Sequence, residues 1–178
     1  TVIAAARHPD GGYLTLAVGG QGAGLVPWTD FVLFGHSRRH RVIQNIGGIA
    51  NLTWLPAGGE VGETLAFDTG PGNMMIDGLV RKQTKGREQF DRGGRRAALG
   101  RISLPVLEQL LRHPYLVEKP PKSCGREHFG ETLLAELAKR FRRSKLSPND
   151  WVATMTHYSA VCMMLGYAWL CDSTGRGY

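Results

Sequence analysis

Residues Val42 to Asp77 read VIQNIGGIANLTWLPAGGEVGETLAFDTGPGNMMID, a pattern that narrows the choice of fold more than any other stretch of the chain. An apolar run rich in β-branched residues (Val42, Ile43, Ile46) meets Gly47-Gly48, and a second run from Asn51 to Leu55 follows Ile49-Ala50. This order predicts a strand, a glycine turn and a strand. Thr64 to Asp68 then reads as a strand ending on a carboxylate. Thr69-Gly70-Pro71-Gly72-Asn73 reads as a tight turn, with a helix opening at Met74-Met75-Ile76 and continuing to Arg81.

Both bends are suited to one task. Glycine lets the backbone approach a ligand closely and take conformations in which successive N–H groups face the oxygens of a phosphate. A helix beginning near Asn73 adds its positive end. Asp68 and Asp77 are placed to orient a water or to hold a hydrated Mg²⁺ between phosphate oxygens. Either bend alone is equally well explained as a turn with no ligand. Two of them, flanked by Asn45, Asn51, Asp68 and Asn73, favour a phosphate or sugar site.

Two further stretches carry polar chemistry. Tyr13 to Val18 reads as a strand delivered into Gly19-Gly20-Gln21-Gly22, where the Gln21 amide can donate and accept towards a sugar or phosphate. PPKSCGREHF sets Lys122, Arg126 and Glu127 around a small Ser123-Cys124-Gly125 turn, a clamp for anionic or hydroxyl groups. Cys124 is not expected to be a nucleophile, since no His is arranged to activate it.

The remaining stretches read as scaffold. Thr1 to Ala6 is expected to be a short strand, Trp28 to Phe34 an apolar core segment, and Thr84 to Phe90 a surface loop. A helix is expected to start at Ala97-Ala98, and another opens at Ser103-Leu104-Pro105 and is ended by Pro114. Leu133, Leu134, Leu137 and Phe141 recur at helical spacing, so Gly130 to Arg143 is expected to be amphipathic with a basic outer face. Ser147-Pro148-Asn149-Asp150 is a capping-box start for a helix to about Leu165, on which His157 is a packed or surface residue. The only stretch long enough for a membrane span, Trp151 to Leu170, is interrupted by Thr154, Thr156, His157 and Ser159 and is expected to be a buried helix.

Composition excludes several classes. With 178 residues and 42% hydrophobic content the chain can bury one core. Three scattered cysteines fit a reducing compartment, not a disulfide framework or a zinc site. The net charge of +7 could attract nucleic acid. No aromatic residues interleave with the basic runs and no nucleic-acid motif occurs, so a solvated basic face is the better reading. The opening TVIAAARHPDGG has neither Met nor the basic-then-apolar order of a secretory signal, so the chain is expected to begin within a longer reading frame.

The paired motifs also carry a resemblance. NIGGIANLT (Asn45 to Thr53) followed by FDTGPGN (Phe67 to Asn73) resembles the signature of the anhydro-N-acetylmuramic acid kinases. GGQGAGLVP (Gly19 to Pro27), DRGGRRAALGRI (Asp91 to Ile102) and PPKSCGREHF (Pro120 to Phe129) agree in order and approximate spacing, and the resemblance extends from Thr1 to about Val161. It implies an α/β fold, a fragment of the actin-like ATPase or sugar-kinase (ribonuclease H-like) architecture. Residues 1–40 would end the first lobe, 41–170 would start the second, and 171–178 would be an unrelated tail.

By the same resemblance the activity is ATP-dependent phosphorylation of 1,6-anhydro-N-acetylmuramic acid with hydrolytic opening of the anhydro ring, in bacterial cytoplasm, for peptidoglycan recycling. ATP and Mg²⁺ are the implied cofactors and a small anhydro amino sugar the implied partner, with no nucleic acid or membrane, and with a homodimer if the protein is complete. Asn45, Gly47, Gly48, Asn51, Asp68, Gly70, Gly72 and Asn73 would face the nucleotide, Asp68 also the metal. Gly19, Gly20, Gln21, Lys122, Arg126 and Glu127 would face the sugar.

The chain departs from the family pattern at several points. Thr15 occupies the position of the family's general base, an aspartate whose kind of assistance is typically worth about 10²–10⁴-fold in rate. Asp10, the nearest upstream carboxylate, is out of register. Of the family's DFR stretch only Arg7 survives, Gly24 replaces a proline, and Cys124 replaces a threonine. After Val161 the expected glycine-rich nucleotide strand is replaced by MMLGYAWL, similar to a stretch near the far end of the family. These departures give an alternative: a catalytically inactive, truncated homologue that at most binds sugar or nucleotide.

Overall fold

The computed structural model describes residues 26–175. The expected strands at 1–6 and 13–18, Asp10, Thr15 and the Gly19-Gly20-Gln21 loop lie outside the described residues. The chain divides into two compact units, one of residues 1–45, 51–68 and 119–123, the other of 46–50, 69–118 and 124–178.

Among the described residues the secondary structure begins with helix α1 (Val26–Phe34), followed by strands β1 (Arg41–Ile46), β2 (Ile49–Leu55) and β3 (Leu65–Pro71). The three strands form one sheet in the order β1-β2-β3. Only Gly47 and Gly48 separate β1 from β2, so these two form a hairpin, the expected strand, glycine turn and strand. The next expectation needs correction. β3 does not stop at Asp68 but runs on through Thr69, Gly70 and Pro71, leaving Gly72 and Asn73 alone as the turn. Thr69 explains part of this, because its hydroxyl donates to the Ala50 carbonyl at 3.1 Å and holds the segment in line with β2.

In the first unit, Leu52, Leu55 and Phe67 are buried. His40 Nδ1 accepts from the Ala57 N–H at 3.1 Å, and its ring stacks on Trp54. The Gln44 side-chain amide donates to the Asn51 carbonyl at 2.7 Å, pinning β1 to β2 beside the glycine turn. The expectation that Trp28 to Phe34 is core fails: in α1 only Pro27 is buried, while Trp28, Val32, Leu33 and Phe34 are exposed. A short, mostly apolar helix can turn only one side inward, so hydrophobicity without a partner surface does not make core.

The second unit holds the helical layer: α2 (Met74–Gln83), α3 (Arg95–Leu99), α4 (Leu104–Leu111), α5 (Arg126–Phe129), α6 (Glu131–Arg140) and α7 (Pro148–Thr174). Met75, Leu79 and Val80 of α2, Val106, Leu107 and Leu110 of α4, and Leu134 and Leu137 of α6 share one buried cluster with Val152, Met155, Tyr158 and Cys162 of α7. The amphipathic spacing of α6 places Leu134 and Leu137 in the core as expected, with Leu133 and Phe141 only partly buried against it, and α6 ends at Arg140.

α7 begins at the expected capping box. Ser147 Oγ accepts from the Asp150 N–H at 3.1 Å and the Asp150 carboxylate accepts from the Ser147 N–H at 2.8 Å. It runs nine residues past the expected end at Leu165, straight through the buried Gly166, until Gly175, whose φ of 63° closes it. Ser103 stands at the N-cap of α4, but its side chain does not cap; its N–H donates to Thr154 Oγ1 at 3.0 Å and ties α4 to α7. In the expected surface loop after α2, Thr84 is buried, with its hydroxyl donating to the Val80 carbonyl at 2.8 Å. Asp91 is occupied structurally, its two carboxylate oxygens each accepting at 3.0 Å from the Arg96 and Ala97 N–H groups at the start of α3. No helix among the described residues is long and apolar enough to cross a membrane.

Candidate active site

The two glycine bends lock onto each other. The Gly72 N–H donates to the Gly48 carbonyl at 2.9 Å, the Asn73 N–H to the Gly47 carbonyl at 2.8 Å and the Met74 N–H to the Gly48 carbonyl at 3.1 Å. This pairing requires glycine at position 72, since a Cβ there would run into the Gly47 carbonyl oxygen and lie 3.3 Å from the Ala50 amide nitrogen. The amides at the start of α2, expected to face a phosphate, are thereby committed to the neighbouring bend. Asn73 is the exposed N-cap of α2, and its side chain makes no capping bond.

α7 supports the second bend from behind. Ser159 Oγ, buried, donates to the Gly72 carbonyl at 2.8 Å. Gly70 has a φ of 143°, and a Cβ there would lie 3.0 Å from Cys162 Cβ and 3.2 Å from its sulfur. Ser159 and Cys162 thus fix the backbone of the motif from a distant part of the chain, and sequence reasoning missed both. The available signal was the spacing of Tyr158, Ser159 and Cys162 on one face of α7, where small side chains allow close approach.

In front of the bends lies a hollow of about 480 Å³, within the size range of small-molecule sites. Gly48 of the first bend, Met74 and Asp77 of α2, Arg81 one turn further on, Arg126 of α5 and Glu131 of α6 all reach it. Burial lifts the Asp77 carboxyl above its usual range, while the Arg81 guanidinium pulls it down. Two carboxylates and two guanidinium groups therefore face a common space against the Gly48 backbone. Arg81 and Glu131 had not been singled out from the sequence; Arg81 follows Asp77 at helical spacing, the signal that could have found it.

The other expected site residues are distributed as follows. Gly47, Gly48, Gly70, Gly72, Asn73, Arg126 and Glu127 belong to the second unit. Of these, Gly48 and Arg126 line the hollow, while Gly47, Gly70 and Gly72 shape its backbone. Glu127 is exposed, its carboxylate folded back over Gly125, and it does not line the hollow. Asn45, Asn51, Asp68 and Lys122 belong to the first unit, where the Asp68 N–H donates to the Lys122 carbonyl at 3.1 Å, making Lys122 the backbone neighbour of β3. Cys124 is half-buried and packs against the hydrophobic cluster.

Among the described residues no group of three His, Cys, Asp or Glu side chains converges as metal ligands. At the hollow, the Asp77 carboxylate is of the kind that suits an ion which keeps several waters and shares phosphate oxygens.

An α/β chain whose sheet runs into two glycine bends, backed by helices, is a fragment of the sugar-kinase, actin-like ATPase architecture. The family model for anhydro-N-acetylmuramic acid kinase matches residues 2–167, and the chain belongs to that family. It is 42% identical over 152 residues to the anhydro-N-acetylmuramic acid kinase of Caldanaerobacter subterraneus subsp. tengcongensis, covering 85% of this chain and 38% of the relative. It is 49% identical over 141 residues to that of Gloeobacter violaceus, covering 79% and 36%. For the Clostridioides difficile relative the figures are 37% over 154 residues, 86% and 39%. The chain spans about two-fifths of the length of these curated relatives.

Proposed function

We propose that this chain is part of an ATP-dependent kinase acting on 1,6-anhydro-N-acetylmuramic acid, in which water opens the anhydro ring and the freed oxygen at carbon 6 receives the γ-phosphate. The product would be N-acetylmuramic acid 6-phosphate, an intermediate of peptidoglycan recycling in the cytoplasm. The observation that carries the proposal is convergence: Gly48 of the first motif, Asp77 in the helix that follows the second and Arg126 of PPKSCGREHF line one hollow.

Each residue has a part in this reading. Gly48 presents backbone that a ligand can approach without a side chain in the way. Arg81 and Arg126 supply the charge-assisted donors that phosphoryl oxygens require. Asp77 stands where a carboxylate can accept from a hydroxyl or a bound water. Asp68 is the carboxylate proposed to hold Mg²⁺, which when bound would neutralise charge on the nucleotide phosphates. Asn45, Asn51 and Asn73 complete the nucleotide side. Gly19, Gly20, Gln21, Lys122 and Glu127 belong to the sugar side.

The test is a coupled ADP-release assay with Mg·ATP and the anhydro sugar, with the phosphorylated product identified by mass spectrometry. Sugar-dependent ADP release that falls by at least about tenfold in Arg126→Ala is expected, since a charged hydrogen bond is worth about 1.5–3 kcal/mol. Release that is unchanged in Arg126→Ala and in Asp77→Asn would refute the site.

A second reading, a homologue that binds sugar or nucleotide without turnover, is favoured by Thr15. A threonine hydroxyl does not act as a base near neutral pH. Saturable sugar binding with no ADP release would establish this reading, and sugar-dependent ADP release would eliminate it.

A further inference from the structure

A second hollow lies in the same unit, between the C-terminal end of α4 and the outer side of α6. Its volume is about 760 Å³. Helix α6 walls both hollows: Glu131, Thr132 and Leu134 face the candidate active site, whereas Leu133, Glu136, Leu137 and Arg140 face this one.

Its lining has two chemistries. Leu110 and Leu137, both buried, and the half-buried Leu133 form an apolar floor. Five cations, Arg112, Lys139, Arg140, Arg142 and Arg143, surround it against the single carboxylate of Glu136. None of the five makes an ion pair among the described residues, where Arg96 to Glu88, on another part of the surface, shows what a satisfied arginine here looks like. Like charges gathered around one concavity repel one another, and an anion seated there would relieve that repulsion.

We propose that this hollow binds a small organic phosphate, its body on the leucine floor and two or more phosphoryl charges on the arginine rim. The concavity favours a small molecule over nucleic acid. A nucleic-acid strand is read by cations along a groove with exposed rings for stacking. Here the cations close around one space of small-molecule size. The nearest ring, His113, is half-buried and packed on Phe129 at 4.7 Å.

The test is calorimetric titration of the full chain with inorganic pyrophosphate at physiological salt, beside a single-stranded thymidine oligonucleotide. Saturable pyrophosphate binding is expected, with one site per chain remaining when Arg81 and Arg126 are both replaced by alanine. Arg112→Glu with Arg140→Glu should weaken it by at least about tenfold, as loss of a charged hydrogen bond does. Arg143→Lys, which keeps the charge, should change it less than about threefold, and thermal melts confirm that each variant is folded. Arg81→Ala with Arg126→Ala removes any pyrophosphate held in the other hollow and should leave the affinity of the remaining site within about twofold. Binding abolished by the Arg81 and Arg126 pair but not by the Arg112 and Arg140 pair would overturn the proposal. So would the absence of saturation, or binding of the oligonucleotide alone with a steep salt dependence.

Discussion

Gly72→Ala is the sharpest probe of the interlocked bends. The added methyl would meet the Gly47 carbonyl oxygen, a backbone atom that cannot swing aside as a flexible side chain would. To make room, the bend must open, stretching or breaking the Gly72, Asn73 and Met74 N–H bonds to Gly47 and Gly48, now 2.8 to 3.1 Å long. Each such bond contributes about 0.5–1.5 kcal/mol net, so loss of all three costs roughly 2–4 kcal/mol. For a chain of this size that lowers the melting temperature by about 5–15 °C. The assay is thermal and urea denaturation followed by circular dichroism, with Gly62→Ala as control. A Cβ at Gly62 meets nothing within 4 Å, and the control should stay within about 0.5 kcal/mol of wild type. A Gly72→Ala protein as stable as the control would refute the interlock.

Ser159→Ala removes the 2.8 Å donor to the Gly72 carbonyl and leaves a buried oxygen unpaired, so urea denaturation should show a loss of about 1–3 kcal/mol. Combined with Gly72→Ala the loss should be less than additive, because both act on one bend. Burial raises the Asp77 pKa, so the folded state holds this proton more tightly than the unfolded chain, and the stability it contributes is lost as pH rises through the folded value. Asp77→Asn should therefore be more stable than wild type near neutral pH, by no more than about 1 kcal/mol in this partly exposed place, with the gain vanishing below the ordinary value of 3.8. Stability-versus-pH curves check this, and the same variant should lose the sugar-dependent ADP release. Asp150 behaves oppositely. The Arg101 N–H, then the Ser147 N–H and hydroxyl, hold its carboxyl below 3.8, so its contribution is present above that value and disappears as pH falls through the lowered one. Asp150→Asn should melt earlier than wild type at neutral pH, and the two melting curves should converge in acid.

What could be read from the sequence was whatever is decided locally. The hairpin around Gly47-Gly48 follows from β-branched runs that stop at glycine, and the start of α7 follows from Ser147, Pro148 and Asp150, three residues whose capping roles need no distant partner. The misses all concern partners. Trp28 to Phe34 is as apolar as a core segment, yet exposure depends on what lies against it. Ser159 reads as a polar interruption in an apolar helix until the Gly72 carbonyl, 87 residues away, is found beside it. Thr69 to Pro71 reads as turn from its glycine and proline, but the Thr69 hydroxyl bond to Ala50 keeps it in the strand. The hollow is the same case, since Asp77 and Arg126 meet only through the packing of α2 against α5 and α6.

This division of labour bears on how the candidate site would recognise a phosphate. A glycine-rich loop that cradles an anion does so with free backbone N–H groups, and the amides of Gly72, Asn73 and Met74 are instead bonded to Gly47 and Gly48. The bends accordingly supply shape: they hold β3 and α2 in place and keep side chains off the Gly48 edge of the hollow. Under the proposed function, charge recognition would then fall to Arg81 and Arg126, which line the hollow. Glycine substitutions should act first on stability, whereas Arg126→Ala should weaken the response to the phosphate-bearing ligand while leaving the melting temperature nearly unchanged, because Arg126 is exposed. A melting temperature that fell as far in Arg126→Ala as in Gly72→Ala would mean that shape and charge are not separable here, and the arginine would have to be counted as part of the scaffold.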